Sequence, residues 1–213
     1  MAITIPQQPT RLLLIRHGLH DHRGRYFQHA CPGLTEDGVT QAKALGARLA
    51  CDPTLASVVV LASKAARTIQ TAEIIADMLG VQVVEQTCEL CEVHPGAMEG
   101  LTDEEVRQRY GGDYGAIPGR ETFEAWYPRA HTGLRRITAE YCGHEILAVT
   151  HNGVINASFG VFGGMPVSPQ TQVRAANTSI TEWSSIGDVK DKLWRLERHN
   201  DTAHLMVSQE SPT

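Results

Sequence analysis

Long apolar runs are missing from this 213-residue chain, so nothing in it reaches the length a membrane-spanning helix needs. The first ten residues, with Pro6 and Pro9, lack a basic segment followed by an apolar one, which predicts no secretory leader and a cytoplasmic location. Cysteine is sparse and odd in number: five scattered residues do not make a disulfide framework and fit a reducing compartment. Cys88 and Cys91 form a lone CxxC, a poor zinc site without a second pair of ligands, and its role is left open. Positive charge is not in excess either. A formal net charge of -5 gives no global attraction to nucleic acid or to an anionic membrane, which leaves a small molecule as the expected partner. Oligomeric state is not readable, and a homodimer is one of the states left open. With no internal repeat, low-complexity tract or linker, residues 1–213 read as a single domain, with 1–10 as an N-terminal extension and 206–213 as a tail expected to be flexible.

What is present alternates between short apolar runs and helical spacing. RLLLIR (Arg11 to Arg16), SVVVL (Ser57 to Leu61), Val81 to Val84 and EILAVT (Glu145 to Thr150) read as buried strands. Between them, Thr35 can cap a helix carrying Val39, Ala42, Leu45 and Leu49. Thr68 to Leu79 forms a second helix closed by Gly80, Thr102 with Glu105 opens a third, and Glu121 to Tyr141 a longer one bent at Pro128. A further helix is expected from Gly153 to Phe162, followed by a hairpin of Thr178 to Ser184 and Lys192 to Glu197 around a Gly187-Asp188 turn. The fold class predicted is α/β: a three-layer α/β/α sandwich on a mostly parallel sheet with an antiparallel edge.

Ligands of open parallel sheets sit beyond the carboxyl ends of the strands, and three such ends carry chemistry here. They are Arg16-His17-Gly18, then Ser63 and Arg67, then His151-Asn152-Gly153. Each taken singly is also what a solvated arginine or a hydrogen-bonded turn histidine looks like. Their conjunction is different.

In order along the chain stand Arg16-His17-Gly18, SKAARTIQTA (Ser63 to Ala72), LCEVHPGAMEG (Leu90 to Gly100) and THNGVI (Thr150 to Ile155), with weaker echoes in GLTEDGVTQAKALG (Gly33 to Gly46) and NDTAHL (Asn200 to Leu205). This set resembles the histidine phosphatase superfamily, the phosphoglycerate mutase-like proteins, over nearly the whole chain. The resemblance implies a metal-independent phosphoric monoester hydrolase that needs no cofactor and acts on a small phosphorylated metabolite. In it His17 would be the nucleophile that becomes phosphohistidine, Arg16 and Arg67 would bind the phosphoryl group, His151 would be a further donor, and Glu92 would give the leaving alcohol its proton. The residue types suit that chemistry, because a phosphate dianion repels nucleophiles and two permanently charged forked guanidinia neutralise it. A helix opening at Asn152 would add backbone N–H groups for the anion.

The sequence also departs from the family. Leu19, His20, Asp21, His22 and Arg23 stand where relatives carry Glu or Gln, Thr or Ser, and then Trp-Asn, so the phosphate-binding asparagine has no clean counterpart. Arg23 or Arg25 is the expected substitute. His20, His22, His29 and His94 fall in loops near the pocket mouth as substrate contacts or solvated histidines; no HxH or HExxH arrangement favours a metal. Trp126, Tyr127, Phe27 and Met98 are equally core or pocket wall. Two rival readings remain, a 2,3-bisphosphoglycerate-dependent phosphoglycerate mutase and a non-catalytic phospholigand-binding module. Asn156 occupies the position of a mutase arginine, which disfavours the first, and the retention of all five reactive residues disfavours the second.

Overall fold

Strand β1 (Arg11–Arg16) has four fully buried residues, Leu12 to Ile15, between its two arginines, the pattern of a strand covered on both faces. It pairs in parallel with β4 (Glu145–Thr150) on one side and antiparallel with β5 (Ile180–Ile186) on the other. The computed structural model describes residues 8–28, 30–169, 172–186 and 193–206, so His29, the Gly187-Asp188 turn and both chain ends lie outside the described residues. With β2 (Val59–Ala62), β3 (Val83–Gln86) and β6 (Leu193–Asp201), the sheet runs β3-β2-β4-β1-β5-β6. Its first four strands are parallel and β5 and β6 are the antiparallel edge.

Period-two alternation along the strands sorts the core into two halves. Leu12, Leu14, Ile146 and Ala148 face α4 (Phe123–Glu140) and α5 (Asn152–Gly163). Leu13, Ile15, Leu147 and Val149 face α1 (Glu36–Ala50) and α2 (Ala66–Leu79). This is the three-layer sandwich. Among the described residues no helix is long and apolar enough to cross a membrane.

Helix ends follow local chemistry. The Thr35 side chain accepts from Gly38 N–H at the start of α1, and Thr102 and Glu105 form a capping box on α3 (Asp103–Tyr110). Pro128 sits inside α4, whose first turn Thr122 caps. Strand limits differ from the sequence expectation, and β5 runs Ile180–Ile186 rather than Thr178 to Ser184. Pro53–Ser57 is a 3-10 turn capped by Asp52, so β2 starts at Val59 rather than Ser57. Gly80 is left-handed and the Val81 N–H bonds back to the Ala76 carbonyl, so Val81 belongs to the end of α2 and β3 begins at Val83. Finally, β6 runs beyond Glu197 to Asp201. Cys88 and Cys91, which read as an unassigned pair in a chain of free thiols, are joined by a disulfide with their Cα atoms 4.6 Å apart.

The end of β4 is tied to the segment leading to Glu92 by the buried Thr150 hydroxyl, which donates to the Leu90 carbonyl at 2.7 Å. Thr150→Val keeps the side-chain shape and leaves that carbonyl without its donor. We expect unfolding free energy to fall by about 1–3 kcal/mol in urea titration at unchanged m-value; no measurable loss would show that the carbonyl is satisfied elsewhere.

Candidate active site

Strands β1, β2 and β4 run the same way, so Arg16, Ala62 and Thr150 end along one edge of the sheet. The chain leaves β1 as His17 and Gly18, with the His17 N–H donating to the Thr150 carbonyl at 3.0 Å. Gly18 and Gly38 are required where this exit meets the start of α1: a Cβ on Gly18 would lie 2.7 Å from the Gly38 carbonyl oxygen, and one on Gly38 would lie 2.0 Å from that of Leu19. Side chains from the motif helices fix the turn, since Gly18 N–H donates to Thr71 Oγ1 at 3.0 Å and Leu19 N–H to Gln41 Oε1 at 2.9 Å.

Hydrogen bonding sets the tautomer of both histidines. His17 Nδ1 lies 2.8 Å from the Gly18 carbonyl oxygen, which can only accept, so Nδ1 carries the proton and Nε2 keeps its lone pair. His151 Nδ1 lies 3.1 Å from Arg67 Nη2, which can only donate. His151 Nε2 therefore carries the proton, 2.8 Å from Ser63 Oγ, and Ser63 in turn donates to Cys91 Sγ at 3.6 Å. Both ring nitrogens of His151 are thus engaged in this state: it orients Arg67 instead of presenting a free donor.

At this edge of the sheet four buried donors have no partner among the described residues. They are Arg16 Nε, Arg67 Nε, Arg67 Nη1 and Gln28 Nε2. Arg67 is 3% exposed and Gln28 1%. The Gln28 amide is pinned at its other atoms, as Oε1 accepts from Arg67 Nη2 at 3.4 Å and its backbone N–H donates to Glu99 Oε1 at 3.0 Å. Arg16 Nη1 donates to the Ala175 carbonyl at 2.5 Å, while Ala175 N–H donates to Asn152 Oδ1 at 2.7 Å. Buried donors left unmade are costly and suit an acceptor, and three of these four belong to permanently charged guanidinia. Burial first, then Arg67, hold the His17 and His151 pKa values well below the ordinary value near 6.5; burial and Arg67 also push His20 down to about 4. Both central rings are neutral at physiological pH.

Glu92 approaches from the side. Its Oε2 accepts from Gly153 N–H at 2.9 Å and its Oε1 from Val93 N–H at 3.2 Å. Any Cβ at Gly153 would sit 2.1 Å from Glu92 Oε1, so glycine lets the carboxylate lie against the N-terminus of α5. The loop is clamped by Arg129, which donates to the carbonyls of Cys88, Cys91 and Glu92 and forms an ion pair with Glu121 at 2.6 Å.

Other expected residues lie elsewhere. His20 is close, its ring 5.0 Å from that of His17. Arg23 sits at φ +47 in a turn with its side chain 79% exposed and paired with Asp21; Arg25 donates to Glu105 and to the Gly100 carbonyl. Neither meets the anion cluster, where Gln28 supplies the amide instead. His94 donates its backbone N–H to Glu121 Oε2, and its Nε2 is 4.0 Å from Cys88 Sγ. Among the described residues no group of three His, Cys, Asp or Glu side chains is placed to hold a metal ion.

The model of the histidine phosphatase superfamily (branch 1) matches residues 12–202. The chain belongs to the histidine phosphatase superfamily. Within it, the chain is similar to a metal-independent phosphoserine phosphatase of Arabidopsis thaliana, at 26% identity over 95% of this chain and 86% of that protein. It is 38% identical, over 84% of its length, to a bifunctional protein of Mycobacterium tuberculosis, of which the match spans 52%. A mycobacterial glucosyl-3-phosphoglycerate phosphatase solved with VO3 superposes with a TM-score of 0.72 at 25% identity, covering 89% of this chain and 98% of that one. The two antiparallel edge strands and three-layer order are the fold of this superfamily.

Gln28 and Arg129 are not legible in the superfamily motifs quoted from this sequence: Gln28 is one polar loop residue among several, and Arg129 one charge on a helix. The neutrality of the two histidines is directly measurable. Ring nitrogen chemical shifts should report uncharged His17 and His151 near pH 6, and saturating inorganic phosphate should move both titrations to higher pH. Stability should be full above about pH 6.5 and fall as pH drops, because unfolded histidines take up protons that the folded rings refuse, by up to about 1.36 kcal/mol per pH unit each. A stability profile flat from about pH 7 to 5 would show that the rings titrate normally.

Proposed function

We propose that the chain is a metal-independent phosphatase that hydrolyses the monoester of a small phosphorylated metabolite through phosphohistidine on His17. The observation that carries this reading is the His17 Nε2 lone pair, freed by the Nδ1–H bond to Gly18 O, within a cluster of four unpartnered buried donors. Arg16, Arg67 and Gln28 bind the phosphoryl oxygens and neutralise the charge that repels a nucleophile. His17 Nε2 attacks phosphorus as the P–O bond to the alcohol breaks, Glu92 passes its proton to that oxygen, and water then takes the phosphoryl group from His17. Asn152 holds Ala175, and through it the Arg16 guanidinium, in place. His151 positions Arg67 and takes up a share of the phosphate contact once the dianion offsets the local positive charge.

The phosphoserine and glucosyl-3-phosphoglycerate phosphatases among its relatives support a small metabolite as substrate. Asn156 supports water over a second substrate as the acceptor, since its Oδ1 receives the Val173 N–H at 3.1 Å and it brings no guanidinium to hold a second phosphate. Turnover of p-nitrophenyl phosphate should persist in excess EDTA; loss on chelation that one divalent ion restores would point to metal-assisted hydrolysis. In Glu92→Gln the loss should be about 10²–10⁴-fold for alkyl monoesters and small for p-nitrophenyl phosphate, whose anion leaves unaided. Equal losses across a leaving-group series would move the acid role to another carboxyl.

A further inference from the structure

A cavity of about 510 Å³ opens beside Glu92 and is walled by Tyr26, Tyr114, Phe123 and Trp126. That volume suits an organic group well above three carbons, and the flat walls suit a planar one. Among the described residues two carboxyl side chains and one guanidinium line it: Glu92, Glu121 and Arg120. Glu121 is neutralised, taking two hydrogen bonds from Arg129 at 2.9 and 2.6 Å and one from the His94 N–H at 3.1 Å. Glu92 is held by the two backbone N–H groups already described.

Arg120 has no carboxylate partner among the described residues. Its guanidinium carbon stands 5.7 Å from the centroid of the Tyr114 ring, a contact that leaves the N–H edges free. Tyr26, on the same cavity wall as Tyr114, donates to Asp103, which ties that wall down. The backbone that carries Arg120 is clipped to the Glu92 loop on both sides, with Ala97 N–H donating to Pro118 O and Glu121 N–H to His94 O, each at 2.9 Å. A cation anchored in this way loses less freedom on binding than one on an open loop.

We infer that this cavity is a leaving-group site selective for a monoester whose alcohol portion joins a planar apolar body to an oxyanion, with the aromatic walls taking the body and Arg120 the oxyanion. This rests on the phosphatase reading, because only then does the organic group lie beside Glu92. A guanidinium fork matches a carboxylate in a bidentate way, which an amide of the same shape cannot exploit.

The test compares 4-carboxybenzyl phosphate with 4-carbamoylbenzyl phosphate, two substrates matched in size that differ in charge. The wild-type protein should favour the carboxylate by about tenfold or more in kcat/KM. In Arg120→Gln the ratio should approach one, and Arg120→Lys should keep part of it. Equal specificity constants in the wild type, or a preference that survives Arg120→Gln, overturns the assignment. Calorimetric binding of the two corresponding phosphonates reads the same ratio without turnover. Should neither ester be hydrolysed while the phosphonates still show the preference, the hydrolase reading would fail and the oxyanion site would stand; phosphonates bound equally would remove the site.

Discussion

Buried positive charge that forms no ion pair among the described residues is the constraint around which this protein is arranged. Arg67 is almost wholly covered, two of its nitrogens are unpartnered, and Arg16 and Gln28 add one unpartnered donor each. Leaving such groups unmade opposes folding, and the cost is met by a core distributed over two helical layers rather than by local pairing. Burial first, and then the same field, keep His17 and His151 uncharged, and the Gly18 carbonyl and Arg67 determine which nitrogen of each ring is available.

Rigidity around this cluster comes from atoms that do not touch the anion site. Thr71 and Gln41 hold the turn after β1, Ser63 and the Cys91 sulfur close the line of hydrogen bonds behind His151, and Arg129 fixes the Glu92 loop by its carbonyls. In the phosphatase reading, this places a nucleophile, a charge clamp and an acid on three separate loops, each anchored to a strand end or a long helix. Preorganised donors of that kind lower the barrier because little has to move as charge develops.

Much of this was legible in the amino-acid order. β1 and β4 read correctly to the residue, because a fully buried strand is a continuous apolar run with abrupt polar ends. β3 did not, because Val81 looks like strand but its N–H is needed to close α2. The first five residues of β6 were read, but its end from Arg198 to Asp201 was not, since an edge strand with few buried side chains has no apolar pattern to mark where it stops. At the site, motif order identified Arg16, His17, Arg67 and His151 as a group, and the structure does bring them together. Arg23 and Arg25 were expected there on position in the loop alone; the left-handed turn at Arg23 and the Glu105 pair of Arg25 direct them elsewhere. Gln28 carried no periodicity, charge or motif to mark it, and only its burial and its unpartnered amide reveal it.

In the proposed reaction His17 Nε2 is the atom that accepts the phosphoryl group. Rapid mixing with a radiolabelled monoester, followed by quenching and peptide mapping, examines that atom directly. Label is expected on His17 in a linkage labile to acid and stable to alkali, formed and lost quickly enough to lie on the path of turnover. Label on Ser63, or a His17→Ala variant that turns over normally with no labelled protein, would contradict it.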